Sequence, residues 1–417
     1  MDDVFVIGIH GTPTGRFANK GLKQLVREAW LGVLADGKLE DTSTIGGIWF
    51  SNLLMDYWGQ PYVKGQVCCS ELMREELLPA GVPIINVEGG CASASIAFNG
   101  AYKEILSGSS PVALAMGVEK MFDPTRPGEI LKCIERGTDQ IDPESWHTLY
   151  RDIGAEFGYS FEPGADRSVA MDIYGFWANS HMSRYGTTAA QIAAAAAKNH
   201  CNSVDNPRAQ YRFPLTVEKV LADRMVSQPL TRAMCAPVGD AAAAALLCSG
   251  EYLKSCSPGV RDRALRVRAQ ALAGGLYAGG WEAERAPVCA ARKAYSMAGI
   301  KPSDIDLVEL HDASSFAEIH LVEDLGLCPR GQGGPYTASG ATGRDGDIPV
   351  NLSGGLVSRG HPIGATGLLM LNEIAIQLRG EAGAAQLDQP RLGLVENGGG
   401  IVGNDIAVCA VTILERL

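Results

Sequence analysis

Apolar and polar positions follow two periods along this chain. Short unbroken apolar runs at 4–9, 45–50, 84–87, 112–116 and 241–247 have the length of strands buried on both faces. Between them apolar residues return every three or four positions. This spacing predicts helices at 22–34 and 69–78, and a third whose buried face is Ala94, Ala97, Phe98, Ala101 and Ile105. The pattern resumes late in the chain with a strand over 306–313, a helix over 368–378 and a strand over 392–395. Alternating strand and helix predicts an α/β protein.

From 122 to 235 the pattern loosens and the chain becomes richer in Tyr, Trp, Arg and Asp, with helices expected at 167–184 and 187–200. This stretch reads as a loop domain laid over the core, where substrate contacts tend to fall. A faint internal repeat accompanies it. A small-residue loop, a helix ending Ile105-Leu106-Ser107-Gly108 and a strand recur as a small-residue loop, a helix ending Gln377-Leu378-Arg379-Gly380 and a strand. The expected division is therefore two duplicated halves, 1–255 with 122–235 inserted, and 256–417.

Composition narrows the functional classes. The 417 residues are 46% hydrophobic and 20% charged, which is ordinary for a globular chain with a large core. A net charge of -11 argues against a nucleic-acid binder, so an anionic ligand needs a local basic patch. Arg208, Arg212, Lys219 and Arg224 are the candidates. The 11 cysteines lack disulfide-framework spacing, and no CxxC pair is present. Reduced thiols, a cytoplasmic location and no metal in this chain are the expectation. The start of the sequence carries no cationic signal region, and no apolar run approaches the ~20 residues of a membrane span.

The candidate chemistry sits where strands meet helices. Ile84-Ile85-Asn86-Val87-Glu88-Gly89-Gly90-Cys91-Ala92-Ser93 puts a thiol at a strand-to-helix turn, where a helix N-terminus favours thiolate. Gly360-His361-Pro362-Ile363-Gly364-Ala365-Thr366-Gly367 places a histidine in a glycine-dense loop that opens a helix. Leu307-Val308-Glu309-Leu310-His311-Asp312 ends a strand on a second histidine. One cysteine and two distant histidines suit acyl transfer: the thiol takes the acyl group, one histidine activates it, the other helps bind an oxygen. The glycine-rich loop could instead cradle phosphate, but no Gly-Lys-Ser/Thr follows it and no GxGxxG opens a first βαβ unit.

Together these motifs resemble the thiolase superfamily. Gly89-Gly90-Cys91-Ala92-Ser93-Ala94 is similar to its nucleophile motif, Gly360 to Gly367 to its Gly-His-Pro loop, and Glu396-Asn397-Gly398-Gly399-Gly400 to its last glycine-rich element. His311-Asp312-Ala313 in place of Asn-Glu-Ala resembles the sterol-carrier-protein-type branch, as do Lys198-Asn199-His200 with Asn206-Pro207, and Cys235-Ala236-Pro237-Val238-Gly239-Asp240. The resemblance runs from Val4 to Leu414. It implies the thiolase fold, with two βαβαβαββ-type halves in a layered α-β-α-β-α core and an inserted loop domain.

The resemblance also implies roles. Cys91 is the acylated nucleophile, His361 takes its proton, and His311 contributes to one oxyanion site. Backbone N–H groups near Cys91 and Gly399 form the second. Coenzyme A is the co-substrate, bound along the insertion, with Arg212, Arg224, Gly399 and Ser353 as binding candidates. The second cysteine of classical thiolases is missing: Glu396 stands at its position, and Ala313 where some sterol-carrier-type members have a cysteine. A Glu396 with a raised pKa is the candidate acid–base group, with His311 or a water as the alternative.

A homodimer and a small zinc-ribbon/OB-fold partner subunit are implied in the same way. The expected reaction is thiolysis of a bulky β-ketoacyl-CoA in aromatic-compound catabolism. Benzoylsuccinyl-CoA is the expected substrate, with Trp146, Tyr150, Phe157, Tyr159, Phe161, Tyr174 and Phe176 lining the acyl pocket. The alternatives are retro-aldol cleavage of a β-hydroxyacyl-CoA of steroid side-chain type and a non-catalytic thiolase-fold scaffold.

Overall fold

Nine strands of this computed structural model form one mixed sheet, and the residues described are 3–164, 167–277 and 283–417. The strands are β1 (Val4–Gly11), β2 (Ile45–Ser51), β3 (Ile84–Val87), β4 (Val112–Glu119), β7 (Ala241–Ser249), β8 (Leu265–Gly274), β9 (Leu307–Glu309), β10 (Leu392–Val402) and β11 (Asp405–Arg416), with β5 (Met225–Ser227) and β6 (Leu230–Thr231) in a separate hairpin. Their spatial order is β3-β2-β4-β7-β1-β8-β11-β10-β9. Val350 adds a parallel bridge beside Val308 on β9. Counting that bridge, the order reads the same from either edge: third, second, fourth, fifth and first strand of one half, then the mirror sequence of the other. Phe5–Arg266 and Val6–Leu265 pair β1 with β8 and so join the two sets of strands edge to edge.

The apolar runs are unbroken because these strands are covered on both faces. On β4, Val112, Leu114, Met116 and Val118 pack with Leu25, Trp30 and Val33 of the helix Leu22–Gly37. Ala113 and Ala115 between them face the other way, into a cluster with Phe98 and Ala101 of the helix Ser93–Leu106 and Leu368 and Leu371 of the helix Thr366–Leu378. These two helices touch each other between the halves of the sheet, and the helix Ala286–Ala298 covers β8 and β11. The layers are therefore helix, sheet, paired helices, sheet, helix.

Several expectations shift in detail. The helix over 69–78 is two short ones, Lys64–Cys68 and Ser70–Arg74. The left-handed Glu76 (φ 57°) ends the second, and the Leu77 N–H closes back on the Leu72 carbonyl. The insertion's helices run Val169–Tyr185 and Ala189–Asn202. The second starts on a capping box between Thr188 and Gln191, which satisfies two otherwise orphaned N–H groups. The strand over 306–313 stops at Glu309, so His311 lies beyond its end. The strand expected over 392–395 runs on to Val402 as β10, so the glycine-rich segment 396–400 lies within it, and β11 follows.

Candidate active site

The turn carrying Cys91 is held by its own side chains. Ser93 Oγ accepts the Gly89 N–H at 3.0 Å and donates to the Gly90 carbonyl at 2.6 Å. Gly90 is left-handed (φ 57°), and a Cβ there would lie 2.4 Å from the Gly400 nitrogen. A Cβ on Gly399 would lie 2.1 Å from the Gly89 carbonyl oxygen and 2.3 Å from the Ala92 nitrogen. The glycine segment of one half therefore interlocks with the nucleophile turn of the other, and any side chain there would force them apart.

His361 reaches the same point from the other half. Thr366 Oγ1 donates to the Pro362 carbonyl at 3.0 Å and lies 2.7 Å from His361 Nδ1. With its own hydrogen committed, Thr366 accepts the Nδ1–H. That assigns the tautomer and leaves the Nε2 lone pair free. This Nε2 lies 3.3 Å from Cys91 Sγ, placed to accept the thiol proton. Below the loop, the buried Glu119 accepts N–H groups from Leu53, Leu54 and Gly364 and the amide of Asn52, tying the histidine loop to the ends of β2 and β4. Burial pushes Glu119 up to about 7 against the pull of those donors.

His311 is the third member. Its ring lies 5.0 Å from that of His361, edge to face. Its Nε2 is buried with no hydrogen-bond partner, and the ring lines the cavity. The neighbouring Asp312 accepts the Leu356 N–H at 2.6 Å and the Asn199 amide at 2.8 Å, which fixes the turn. The ligand atoms of Cys91, His311 and His361 lie within 4.8 Å of one another, so these are the residues that could hold a small thiophilic cation.

The site is electrically quiet. Burial pushes Cys91 up to about 12, with the charge of Glu119 adding to it. Burial and then Arg359 push His311 down to about 3. Burial, His311 and Arg359 hold His361 well below its ordinary value. Desolvation thus works against the helix-terminus activation expected of Cys91 and favours a neutral thiol beside a neutral imidazole. Arg359 was not anticipated. It is 1% exposed, its guanidinium lacks a hydrogen-bond partner, and its charge bears on both histidines. A charged residue directly before Gly360-His361 was the available signal.

A cavity of about 880 Å³ opens over Cys91, His311 and His361, a size suited to a large ligand. Gly399 and Arg224 are on its wall, as is Lys219. Arg212 and Ser353 are not among its lining residues. Arg212 donates to the Val204 carbonyl, and Ser353 is buried against Glu309. Arg208 is likewise spent on a two-pronged pair with Glu373.

Glu396 is likewise not among the lining residues. It is 1% exposed, behind the wall, and takes the His311 N–H at 3.2 Å and the Cys409 thiol at 3.2 Å. Burial does raise it, to about 7, as expected. Of the proposed aromatic lining, Tyr174 faces this cavity and Trp146 a smaller adjoining one. Tyr150, Phe157, Tyr159, Phe161 and Phe176 pack on one another instead.

Fold and site together define an acyl-transferring enzyme of the thiolase type, and the chain belongs to the thiolase family. Residues 4–228 match "Thiolase, N-terminal domain" and residues 282–415 match "Thiolase C-terminal domain-like". It is 36% identical to an acetyl-CoA acetyltransferase of Methanothermobacter thermautotrophicus, over 100% of both chains. It is 33% identical to human sterol carrier protein 2, over 96% of this chain and 71% of that protein. Its fold is similar to that of the Ltp2-ChsH2(DUF35) aldolase, with a TM-score of 0.77 and 20% identity over 100% of this chain and 98% of the other. The protein is a thiolase, an acyl-CoA C-acyltransferase, and thiolases use coenzyme A as co-substrate. Among the described residues no helix is long and apolar enough to cross a membrane.

Proposed function

We propose that the chain cleaves a bulky β-ketoacyl-CoA by thiolysis through an acyl-Cys91 intermediate, with benzoylsuccinyl-CoA and CoA giving benzoyl-CoA and succinyl-CoA. The observation that carries this reading is the 3.3 Å contact between Cys91 Sγ and His361 Nε2 on the floor of the large cavity. As the ketone carbon approaches, His361 takes the thiol proton and Cys91 forms the new C–S bond. N–H groups of the Cys91–Gly399 junction hold the resulting oxyanion. Collapse breaks the bond between the α- and β-carbons. The acyl group stays on sulfur, and the other product leaves as the enolate of its thioester, its oxygen beside His311. After that enolate is protonated, the thiol of CoA attacks acyl-Cys91, and His361 returns its proton to the departing sulfur.

Arg224 and Lys219, exposed on the cavity wall, suit the phosphates of CoA. Room for a bulky acyl group comes from Leu131, Ile134, Val169, Met171 and Ile363 on the same wall. The division at 255/256 with a loop domain at 122–235, a homodimer, a small zinc-ribbon/OB-fold partner and a cytoplasmic location belong to this proposal. Half-exposed residues of the edge strand β3, near Tyr62 and Val63 at 78% and 55% exposure, support the dimer. The partner is suggested by likeness to an aldolase whose name includes a DUF35 component.

The test is intact-protein mass spectrometry after brief exposure to acetoacetyl-, branched medium-chain and benzoylsuccinyl-CoA without free CoA, with and without a candidate partner. A benzoyl adduct mapped to Cys91 supports mechanism and substrate together. Another acyl adduct keeps the mechanism and discards the substrate. No adduct under any condition sinks the thiolysis reading in favour of carbon–carbon cleavage without an acyl-enzyme.

A further inference from the structure

Thiolysis needs a second proton carrier, because the departing enolate must be protonated on its α-carbon and the incoming CoA thiol must lose a proton. The residue at the position of the classical second cysteine, Glu396, is off the cavity wall with both oxygens engaged. Cys235 is on the wall, but its thiol points to the Thr231 carbonyl at 3.3 Å and the charge that bears on it is Asp223, away from the nucleophile. His200 is turned to the Ala233 carbonyl and Ser358.

Tyr174 is different. It is 5% exposed, lines the cavity with Cys91, His311 and His361, and its hydroxyl has no hydrogen-bond partner among the described residues. Its ring stands edge-on against Trp177, whose Nε1–H is fixed on Asn404 Oδ1 at 2.8 Å, so the tyrosine is braced from behind. Burial is the first influence on the hydroxyl, and the ionisable neighbours that bear on it are Cys91, then Glu396 and Asp312. A braced hydroxyl-bearing side chain on the cavity wall shared with the nucleophile is placed to meet what enters there.

We propose that the Tyr174 hydroxyl is the acid–base group of the α-carbon, taking the place of the missing second cysteine. This rests on the reading of the site as one that generates a thioester enolate. The O–H bond of Tyr174 breaks as the α-carbon takes its proton, and the saturated acyl-CoA departs. The tyrosinate then takes the proton of the incoming CoA thiol, and the CoA thiolate attacks acyl-Cys91. Each cycle returns Tyr174 and His361 to their starting protonation. Burial holds the hydroxyl well above its ordinary pKa, so Tyr174 enters the cycle protonated. An enolate is a strong enough base to take that proton.

The experiment is α-deuteration of acetyl-CoA and succinyl-CoA in D2O by the full chain, comparing wild type, Tyr174→Phe, Glu396→Gln and Cys91→Ala. Iodoacetamide labelling of Cys91 serves as the folding control. Wild type is expected to exchange at least one of the two. Tyr174→Phe should lose exchange by about 100-fold or more, the scale of a positioned acid–base group, while labelling of Cys91 proceeds at the wild-type rate. Wild-type exchange in Tyr174→Phe would overturn the proposal, as would loss in Glu396→Gln with retention in Tyr174→Phe, or a wild type that acylates Cys91 yet exchanges neither thioester. Failure of the thiolysis reading looks different: Cys91→Ala would still cleave substrate, and exchange would still depend on Tyr174.

Discussion

The floor of the cavity and its mouth are built on opposite electrostatic plans. On the floor, burial favours the uncharged forms of Cys91, His311 and His361, and the tight glycine backbone of 399–400 packs against the nucleophile turn. At the mouth, Arg16, Lys219 and Arg224 stand exposed in water, and Arg232 pairs with Asp223 at 2.8 Å. The contrast separates two tasks. Charge created on the floor during reaction is felt strongly because water is excluded, so donors fixed there can discriminate between ground and transition state. Charge at the mouth is screened and suits recognition of a long anionic ligand.

Breaking the floor should therefore cost far more than breaking the mouth. Cys91→Ala should abolish the acyl adduct and lower thiolysis by about 10⁴-fold or more, read by mass spectrometry and steady-state rates. His311→Ala removes one oxyanion donor and should lower kcat by about 10²–10³-fold with little change in KM. A kcat within a factor of about two of wild type would remove His311 from that role.

The rate of Cys91 alkylation sharpens the electrostatic contrast. With the thiol pushed up to about 12, the thiolate fraction, and with it labelling by iodoacetamide, should climb about tenfold per pH unit from 6 to 10. A plateau near neutrality would mean a resting thiolate–imidazolium pair instead. Arg224→Ala is the smallest of the four. It should raise the KM for CoA by about threefold to tenfold at low salt, and less as salt increases, leaving kcat alone.

What was legible in the sequence divides along the same line. Cys91, His361 and His311 could be read because each sits where a strand or helix must end, and short loops between such elements leave little freedom. The fold could be read because apolar runs buried on both faces look unlike anything else. Where Arg212 and Ser353 turn could not be read, because sequence position in a loop does not say which way a side chain points. Arg212 found a carbonyl, and Ser353 found the carboxylate of Glu309. The aromatic residues of 146–176 looked like a ligand wall, yet most of them satisfy one another by edge and tilted contacts. The contacts of Glu396 could not be read either: burial raises it to about 7, and from its register on β10 it accepts the Cys409 thiol of β11.

The interlock of Gly90 with Gly399 and Gly400 has a consequence for the life of the chain before it is finished. Cys91 and its base lie 270 residues apart, and the glycine backbone that seats the nucleophile turn comes later still. A ribosome that has released only the first half has made a cysteine with neither base nor seat. The nascent protein thus has no catalytic pair, and its solvated thiol meets the thioesters around it only by slow, unassisted exchange. Split between the nucleophile turn and the histidine loop, the same chain would act as a reporter of reassembly, acylation of its thiol accelerating when the second piece docks.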